Sequence, residues 1–467
     1  MDIPFLTIAE LGRAYDSKEL SPVEVTRALL DRVAAHDGTL HSFIRVTGDV
    51  ALARARTAEA ELMAGTRRGP MHGIPYGLKD IVETAGIATT GHSKLRQDHV
   101  PAQDAEVERR LKAGGGILLG KLATWEFALG GPSFDLPWPP ARNPWDARRL
   151  PGGSSSGPGA ALAAGFMPAA IGTDTGGSVR GPAAFCGIAG LKPTYGRVSR
   201  RGVFPNTFTM DHIGPMTRSA EDIALMLQVI AGFDPPDPGS ADCPVPDYAA
   251  ALGGRVTGGV KGMRLGLIEG WHEGAGAHPD LAPAISQAAA VLNDLGAIIE
   301  PVTLSSLRDY TDCKTTISSV ELYSIHERDL RTRPQDFGRN LRNRVLPGAL
   351  IRAEDYFAAL RWRTALAREQ AAAFARFDAL LTAGARTIAD LADPNQPDRH
   401  VSTASITMPF SISGVPALAI PCGFSQAEAM PLSLQIAAAP FREATVLRIA
   451  HAYQQATDWH RRHPTLG

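Results

Sequence analysis

Cysteine, one-sided charge and long apolar runs are scarce or missing in this chain, and each gap removes a class of answer. The four cysteines, Cys186, Cys243, Cys313 and Cys422, stand far apart, with no CxxC pair and no short-spaced Cys/His set. Neither a disulfide framework nor a zinc site is indicated, and free, buried thiols are the expectation. Charge is balanced, 47 Lys and Arg against 48 Asp and Glu, so the composition calls for neither nucleic acid nor an anionic membrane as partner. The longest uncharged stretch, Pro151 to Thr173, has only Leu162, Phe166, Met167 and Ile171 as large apolar residues, too few for a membrane span. Met1 to Gly12 includes Asp2 and Glu10 and lacks the basic region and apolar core of a signal peptide. A cytoplasmic location is expected. Absent too are GxxxxGK(S/T), SxxK and HExxH, so no motif supports a P-loop nucleotide site, a penicillin-binding-type serine or a metalloprotease zinc. No cofactor and no metal are expected.

What is present reads as a large α/β protein. Apolar residues make up 44% of the chain, enough for a substantial core, and 467 residues admit either two or three average domains or one large unit. Ser21, Pro22 and Glu24 form a capping box, with Val25, Leu29 and Val33 following at helical spacing. A charged helical segment from Asp104 to Ala113 runs into three glycines and then the apolar Ile117 to Leu119, which reads as helix, stop, buried strand. Ile285, Ala289, Leu292 and Leu295, closed by Gly296 and followed by Ala297 to Val302, repeat that grammar. Repeated helix-to-strand units imply a central mixed, mostly parallel β-sheet with helices on both faces. Near the C-terminus, Pro416 to Pro421 and Leu432 to Ala437 read as two strands, and Val446, Ile449, Tyr453 and Thr457 as a closing helix. No low-complexity linker or fixed-period repeat divides the chain, and the Pro-, Asp- and Gly-rich stretch at about 235–255 reads as a surface loop.

The chemistry concentrates in two glycine-flanked serine loops, Pro151-Gly-Gly-Ser-Ser-Ser-Gly157 and Gly172-Thr-Asp-Thr-Gly-Gly-Ser-Val-Arg180. Either alone could be an ordinary tight turn. Between them lies a Gly/Ala-rich segment about long enough for one helix and one strand, which would return both loops to one end of the sheet. Glycine beside serine lets the backbone approach a ligand closely and aim several N–H groups at one point, the requirement of an oxyanion hole.

Together with Phe185-Cys-Gly-Ile-Ala-Gly-Leu-Lys-Pro-Thr194 and Gly73-Ile-Pro-Tyr-Gly-Leu-Lys-Asp80, these loops resemble the amidase signature family. The resemblance is dense over a core at about 70–220 and resumes in Pro409 to Gly423 and Gln435 to Trp459. A region at about 235–400 is left as the variable, substrate-shaping part of one domain spanning 1–467. It implies the amidase signature fold and a hydrolase cleaving the C–N bond of an amide, anilide or carbamate. Its nucleophile would be Ser178, its proton relay Ser154 and its base Lys79, with Ser155 orienting Lys79 and the Gly153–Ser154 peptide bond cis. Backbone N–H groups of Thr175, Gly176, Gly177 and Ser178 would form the oxyanion hole. Serine is a weak nucleophile until a base removes its proton. A lysine does this only when neutral, which costs on the order of 4 kcal/mol in lost charging energy. Asp174 and Arg180 read as a structural ion pair bracing the second loop.

Three departures from the family pattern stand out, Pro158 after the relay loop, Ser411 where asparagine is common and Ser433 where glycine is common; proline is tolerated in a helix's first turn. By position, Leu129, Gly130 and Gly131 would face the acyl site, with Phe134, Trp138, Phe204 and Phe208 in neighbouring loops; an apolar or aryl small molecule is the expected substrate. The arginines 328, 331, 333, 339, 342 and 344, interleaved with Asp329 and Asp336, read as a solvated helical face. The expected partner is that small amide-type molecule, without nucleic acid or membrane, and a homodimer is an open option. Two alternatives remain. One is a glutaminase-type subunit of a tRNA-dependent amidotransferase that works only with partner chains. The other reads Gly153-Ser-Ser-Ser-Gly157 as the GxSxG elbow of an α/β-hydrolase esterase with Ser155 attacking, aided by a histidine from among His212, His326, His400 and His451.

Overall fold

The structure, a computed structural model, describes residues 2–253, 259–395 and 405–466. Eleven strands form one sheet: β1 (Phe43–Val46), β2 (Pro75–Lys79), β3 (Ile117–Leu122), β4 (Ala169–Asp174), β5 (Ala189–Lys192), β6 (His212–Thr217), β7 (Arg264–Ile268), β8 (Ile298–Val302), β9 (Ala379–Ala383), β10 (Ala417–Phe424) and β11 (Pro431–Ala437). Their spatial order is β1-β3-β2-β4-β6-β5-β10-β11-β9-β7-β8. The mixed α/β sheet expected from the sequence is present in a single large domain. Its parallel ladders are two triplets, β3-β2-β4 and β9-β7-β8, and the strands between them pair antiparallel.

Local sequence explains the elements that frame the loops. In the helix Pro22–Leu40, Ser21 and Glu24 exchange both bonds of the expected capping box. The helix Glu106–Ala113 ends at Gly114 and delivers the chain into β3. Strands β2, β3 and β4 are buried at every residue, as parallel strands covered on both faces must be. Pro158 is the third residue of the helix Ser156–Ala163, where its missing N–H forfeits no intrahelical bond.

The main apolar core runs the length of the sheet, and a second cluster of Phe127, Leu322, Leu330, Phe337, Leu341 and Val345 lies beside it, with Leu129 and Phe204 packed against it. Residues 235–400 are part of the sheet, because they supply β7, β8 and β9. The long helices Leu307–Thr332 and Ala353–Phe374 pack on each other there. Among the described residues, no helix is long and apolar enough to cross a membrane. The four cysteines are free, with Cys186, Cys313 and Cys422 buried and Cys243 partly exposed.

Candidate active site

Lys79 ends β2, between β3 and β4, and is fully buried. Its Nζ lies 2.7 Å from Ser154 Oγ and 2.7 Å from Thr173 Oγ1, and no carboxylate stands within ion-pair distance of it among the described residues. Burial lowers its pKa from the ordinary 10.5 to about 7, against the opposing pull of Asp174 and Asp211. Removing an ammonium from water disfavours its charged form, and two hydroxyls do not restore what water supplied. The amine is therefore poised between charged and neutral near pH 7.

The two serine loops meet above this amine. The intervening segment forms the helix Ser156–Ala163 and strand β4, and the Ser155 N–H donates to the Ser178 carbonyl at 3.2 Å. Gly153–Ser154 is a cis peptide, as the family resemblance implies. Ser154 is buried, whereas Ser178 is partly exposed and its hydroxyl has no hydrogen-bond partner among the described residues. A buried hydroxyl next to the amine and a reachable hydroxyl on the adjoining loop are what a proton relay and a nucleophile require.

Two details differ from the sequence reading. The Ser155 hydroxyl does not reach Lys79; it donates to the Thr173 carbonyl and accepts from the Thr173 N–H, each at 3.2 Å. Thr173 is the second partner of Lys79, and its signal was its place at the end of β4, beside β2 through the Leu78–Ile171 register. Of the four expected oxyanion donors, the Gly177 N–H is spent on Asp174 Oδ1 at 2.8 Å. The N–H groups of Thr175, Gly176 and Ser178 have no acceptor among the described residues.

Asp174 and Arg180 form the expected ion pair, 2.8 Å apart and fully buried. Asp174 also accepts from the N–H groups of Val179 and Arg180, and Arg180 holds its carboxyl well below the usual range despite burial. Arg180 further donates to the Thr407 carbonyl at 2.7 Å, Gln435 Oε1 at 2.9 Å and Ser411 Oγ at 2.9 Å. Thr407 Oγ1 in turn donates to the Gly176 carbonyl at 2.7 Å. Gly177 sits at φ +128, and a β-carbon there would come within 2.0 Å of Thr407 Oγ1. Only glycine fits that approach.

A cavity of about 310 Å³ adjoins this site through Thr173 and Asp211, lined also by Ile81, Phe204, Asn206 and Phe208, without reaching Ser154 or Ser178. Asp211 accepts from Thr175 Oγ1 at 2.6 Å and from the Asn206 and Thr207 N–H groups. Phe204, and the neighbouring Phe208, are therefore at a cavity wall. Leu129 packs in the second apolar cluster, Gly130 (φ +98) lies against the backbone of Leu341, and Phe134 lies beneath Arg142. Gly131 follows in the same loop at φ +104. Trp138 packs edge-on against His92.

One further group near the second loop escaped the sequence reading. Lys314 falls on the buried stripe Tyr310, Cys313, Lys314, Ile317, Ser318, Glu321 of the helix Leu307–Thr332, a polar interruption of helical periodicity that could have marked it. The arginine-rich segment behaves as a solvated face at Arg331 and Arg333, paired to Glu327 and Asp329, whereas Arg344 is half-buried. As for the esterase alternative, His212 is buried against the carbonyls of Asp174 and Met210, His326 packs among Phe127, Phe204 and Phe337, and His451 is on the closing helix Glu443–Ala456. His400 lies outside the described residues. Ser155 has no histidine partner among the described residues.

Comparison with known proteins adds the following. The amidase family model matches residues 24–447. The A subunit of the glutamyl-tRNA(Gln) amidotransferase from Moorella thermoacetica is 40% identical, with 100% of each chain covered. A chain from a vestigial protein complex, described as revealing the origins of an s-triazine catabolic enzyme, superposes with a TM-score of 0.89 at 33% identity, covering 96% of this chain and 98% of that one. The corresponding amidotransferase chain from Thermotoga maritima superposes with a TM-score of 0.79 at 30% identity, over 97% and 95% of the two chains. These relatives overturn the expectation of a free-standing hydrolase for an apolar or aryl small molecule, with no nucleic acid among its partners. They match along their whole length and are named as one subunit of an assembly and for a tRNA, which favours the first alternative. The expectation failed because a net charge near zero averages over the whole surface and says nothing of RNA held by another chain. Aromatic residues in loops, likewise, more often pack than bind, as Phe134 does.

Proposed function

Because the chain belongs to the amidase-signature family of carbon–nitrogen hydrolases, we propose that it is the glutaminase-type subunit of an amidotransferase, releasing ammonia from a linear carboxamide for use by partner chains that hold the acceptor RNA. The observation that carries the chemistry is the buried amine of Lys79, 2.7 Å from the Ser154 hydroxyl beneath the Ser178 loop.

In this reading Ser178 Oγ attacks the amide carbon while its proton passes to Ser154 Oγ, whose own proton passes to neutral Lys79. The oxygen of the tetrahedral intermediate meets the free N–H groups of Thr175, Gly176 and Ser178; each such donor is worth about 3–4 kcal/mol in the transition state. Gly177 has a different role, since its N–H ties the loop to Asp174. The proton then returns from Lys79 through Ser154 to the leaving nitrogen. Ammonia departs, and water cleaves the Ser178 ester by the same relay run again. Thr173 fixes the amine, and Ser155 fixes Thr173.

The test compares ammonia release from glutamine by the purified chain alone and by the chain co-purified with its partner chains. Glutamine turnover that needs the partners, is abolished in Ser178→Ala and Lys79→Ala and is reduced to a trace in Ser154→Ala is the expected result, with folding checked by circular dichroism. Full anilide or carbamate hydrolysis by the chain alone, unchanged by partners, would remove the subunit reading. Wild-type rates in Lys79→Ala would remove the base.

A further inference from the structure

We propose that Lys314 is a specificity residue that receives a carboxylate of the substrate, so that the site takes amides carrying an acid group close to the scissile bond, such as half-amides of dicarboxylic acids and amino-acid amides of the glutamine kind. The inference rests on the reading of the serine loops given above.

Lys314 stands mid-helix in Leu307–Thr332 with 6% of its surface exposed. A β-carbon placed on Gly176 would lie 3.2 Å from its Cε and 3.6 Å from its Nζ, so the amine sits over the loop whose N–H groups are free. Lysine is almost never this buried without a counter-charge. Yet its Nζ makes no hydrogen bond or ion pair with any described residue, and the nearby carboxylates are already engaged. Asp174 is held by Arg180, Asp211 by Thr175, Asn206 and Thr207, and Glu321 by Thr209 and Tyr356. Burial and the like charge of Arg344 lower its pKa to about 8, which still leaves it mainly charged at pH 7. An unpaired cation two residues from Ser178, walled from water, is a site completed by an anion that arrives with the ligand. A group meant only to pair within the fold would have found one of the three neighbouring carboxylates.

The probes are the half-amides from oxamate to glutaramate, glutamine itself, and neutral butyramide, assayed for ammonia release by the complete protein with its partner chains. Lys314→Met is expected to lower the ratio of kcat/KM for the preferred acidic amide over butyramide by about 10- to 100-fold, the worth of a charge-assisted hydrogen bond, and Lys314→Arg to restore part of it. An unchanged ratio overturns the proposal, including the case in which both substrates fall equally because the amine serves the oxyanion. Binding of the same acidic amide to Ser178→Ala, measured by titration calorimetry, separates this from the catalytic reading. Affinity that drops when Lys314→Met is added supports the carboxylate site even if Ser178 proves not to be the nucleophile. Equal affinity with and without Lys314 sinks it even if Ser178 is.

Discussion

Replacing Lys79 by methionine should stabilise the protein at pH 7 and do so less at pH 9. The side chain keeps its length and loses its charge. A lysine whose pKa is 10.5 unfolded and about 7 folded is penalised in the native state by about 5 kcal/mol when fully charged. The penalty is complete below pH 7, where both states hold the proton. It fades as pH rises toward 10.5, because the unfolded chain binds a proton that the native state has already released. Half-titration at pH 7 leaves about 4 kcal/mol of it, and at pH 9 about 2 kcal/mol remains. Against this stand the two hydrogen bonds to Ser154 and Thr173, together about 2 kcal/mol and independent of pH in this range. Lys79→Met should therefore exceed wild type by about 2 kcal/mol at pH 7 and match it at pH 9. For 467 residues, with about 2.1 cal/mol/K of unfolding entropy per residue, that is a Tm advantage of about 2 °C that vanishes over the interval. Differential scanning calorimetry of both proteins at pH 7, 8 and 9 reads it directly. A Tm difference that stays flat, or one that grows with pH, would refute the claim that this amine titrates near neutrality inside the fold.

Two more substitutions probe the surroundings. Thr173→Val keeps shape but removes one of the amine's two partners, so kcat should fall about 10- to 100-fold with the fold intact, as a buried donor left unsatisfied costs about 1–3 kcal/mol; a rate within twofold of wild type would show the contact to be idle. Arg180→Met strands the Asp174 carboxylate in full burial and should cost about 3–5 kcal/mol, seen as a Tm lower by about as many degrees or as insoluble protein. An unchanged Tm would mean that the pair does not brace the loop.

Much of the site was legible because its chemistry depends on residue types at fixed places. Glycines beside Ser154 and Ser178, and the lysine closing Gly73–Lys79, announce themselves as letters, and the helix-to-strand grammar at 104–119 and 285–302 gave strands where β3 and β8 lie. What the letters could not carry was which atoms were already spoken for. The pattern around Ser178 offers four N–H groups alike, and only the fold shows that Asp174 takes the one from Gly177. Thr173 and Lys314 act through register and helical phase, which emerge only when β2 meets β4 and the helix Leu307–Thr332 turns one face inward. The antiparallel middle of the sheet was hidden for a related reason: β4 and β6, or β5 and β10, pair across long sequence separations, where local periodicity is blind. Substrate class failed furthest, since an aromatic side chain in a loop reads the same whether it lines a cavity, as Phe204 does, or is stacked under an arginine, as Phe134 is.

The brace around Arg180 fixes when, as well as where, the reactive loop takes shape. Its partners at 174, 407, 411 and 435 are synthesised far apart in time, so a ribosome that has delivered Lys79, Ser154 and Ser178 has made every reacting group and none of the distal clamp. The loop stays unclamped until β11 joins the sheet. A chain broken off before Gln435 would carry the full set of reacting side chains and still be silent, which ties the onset of hydrolysis to completion of synthesis.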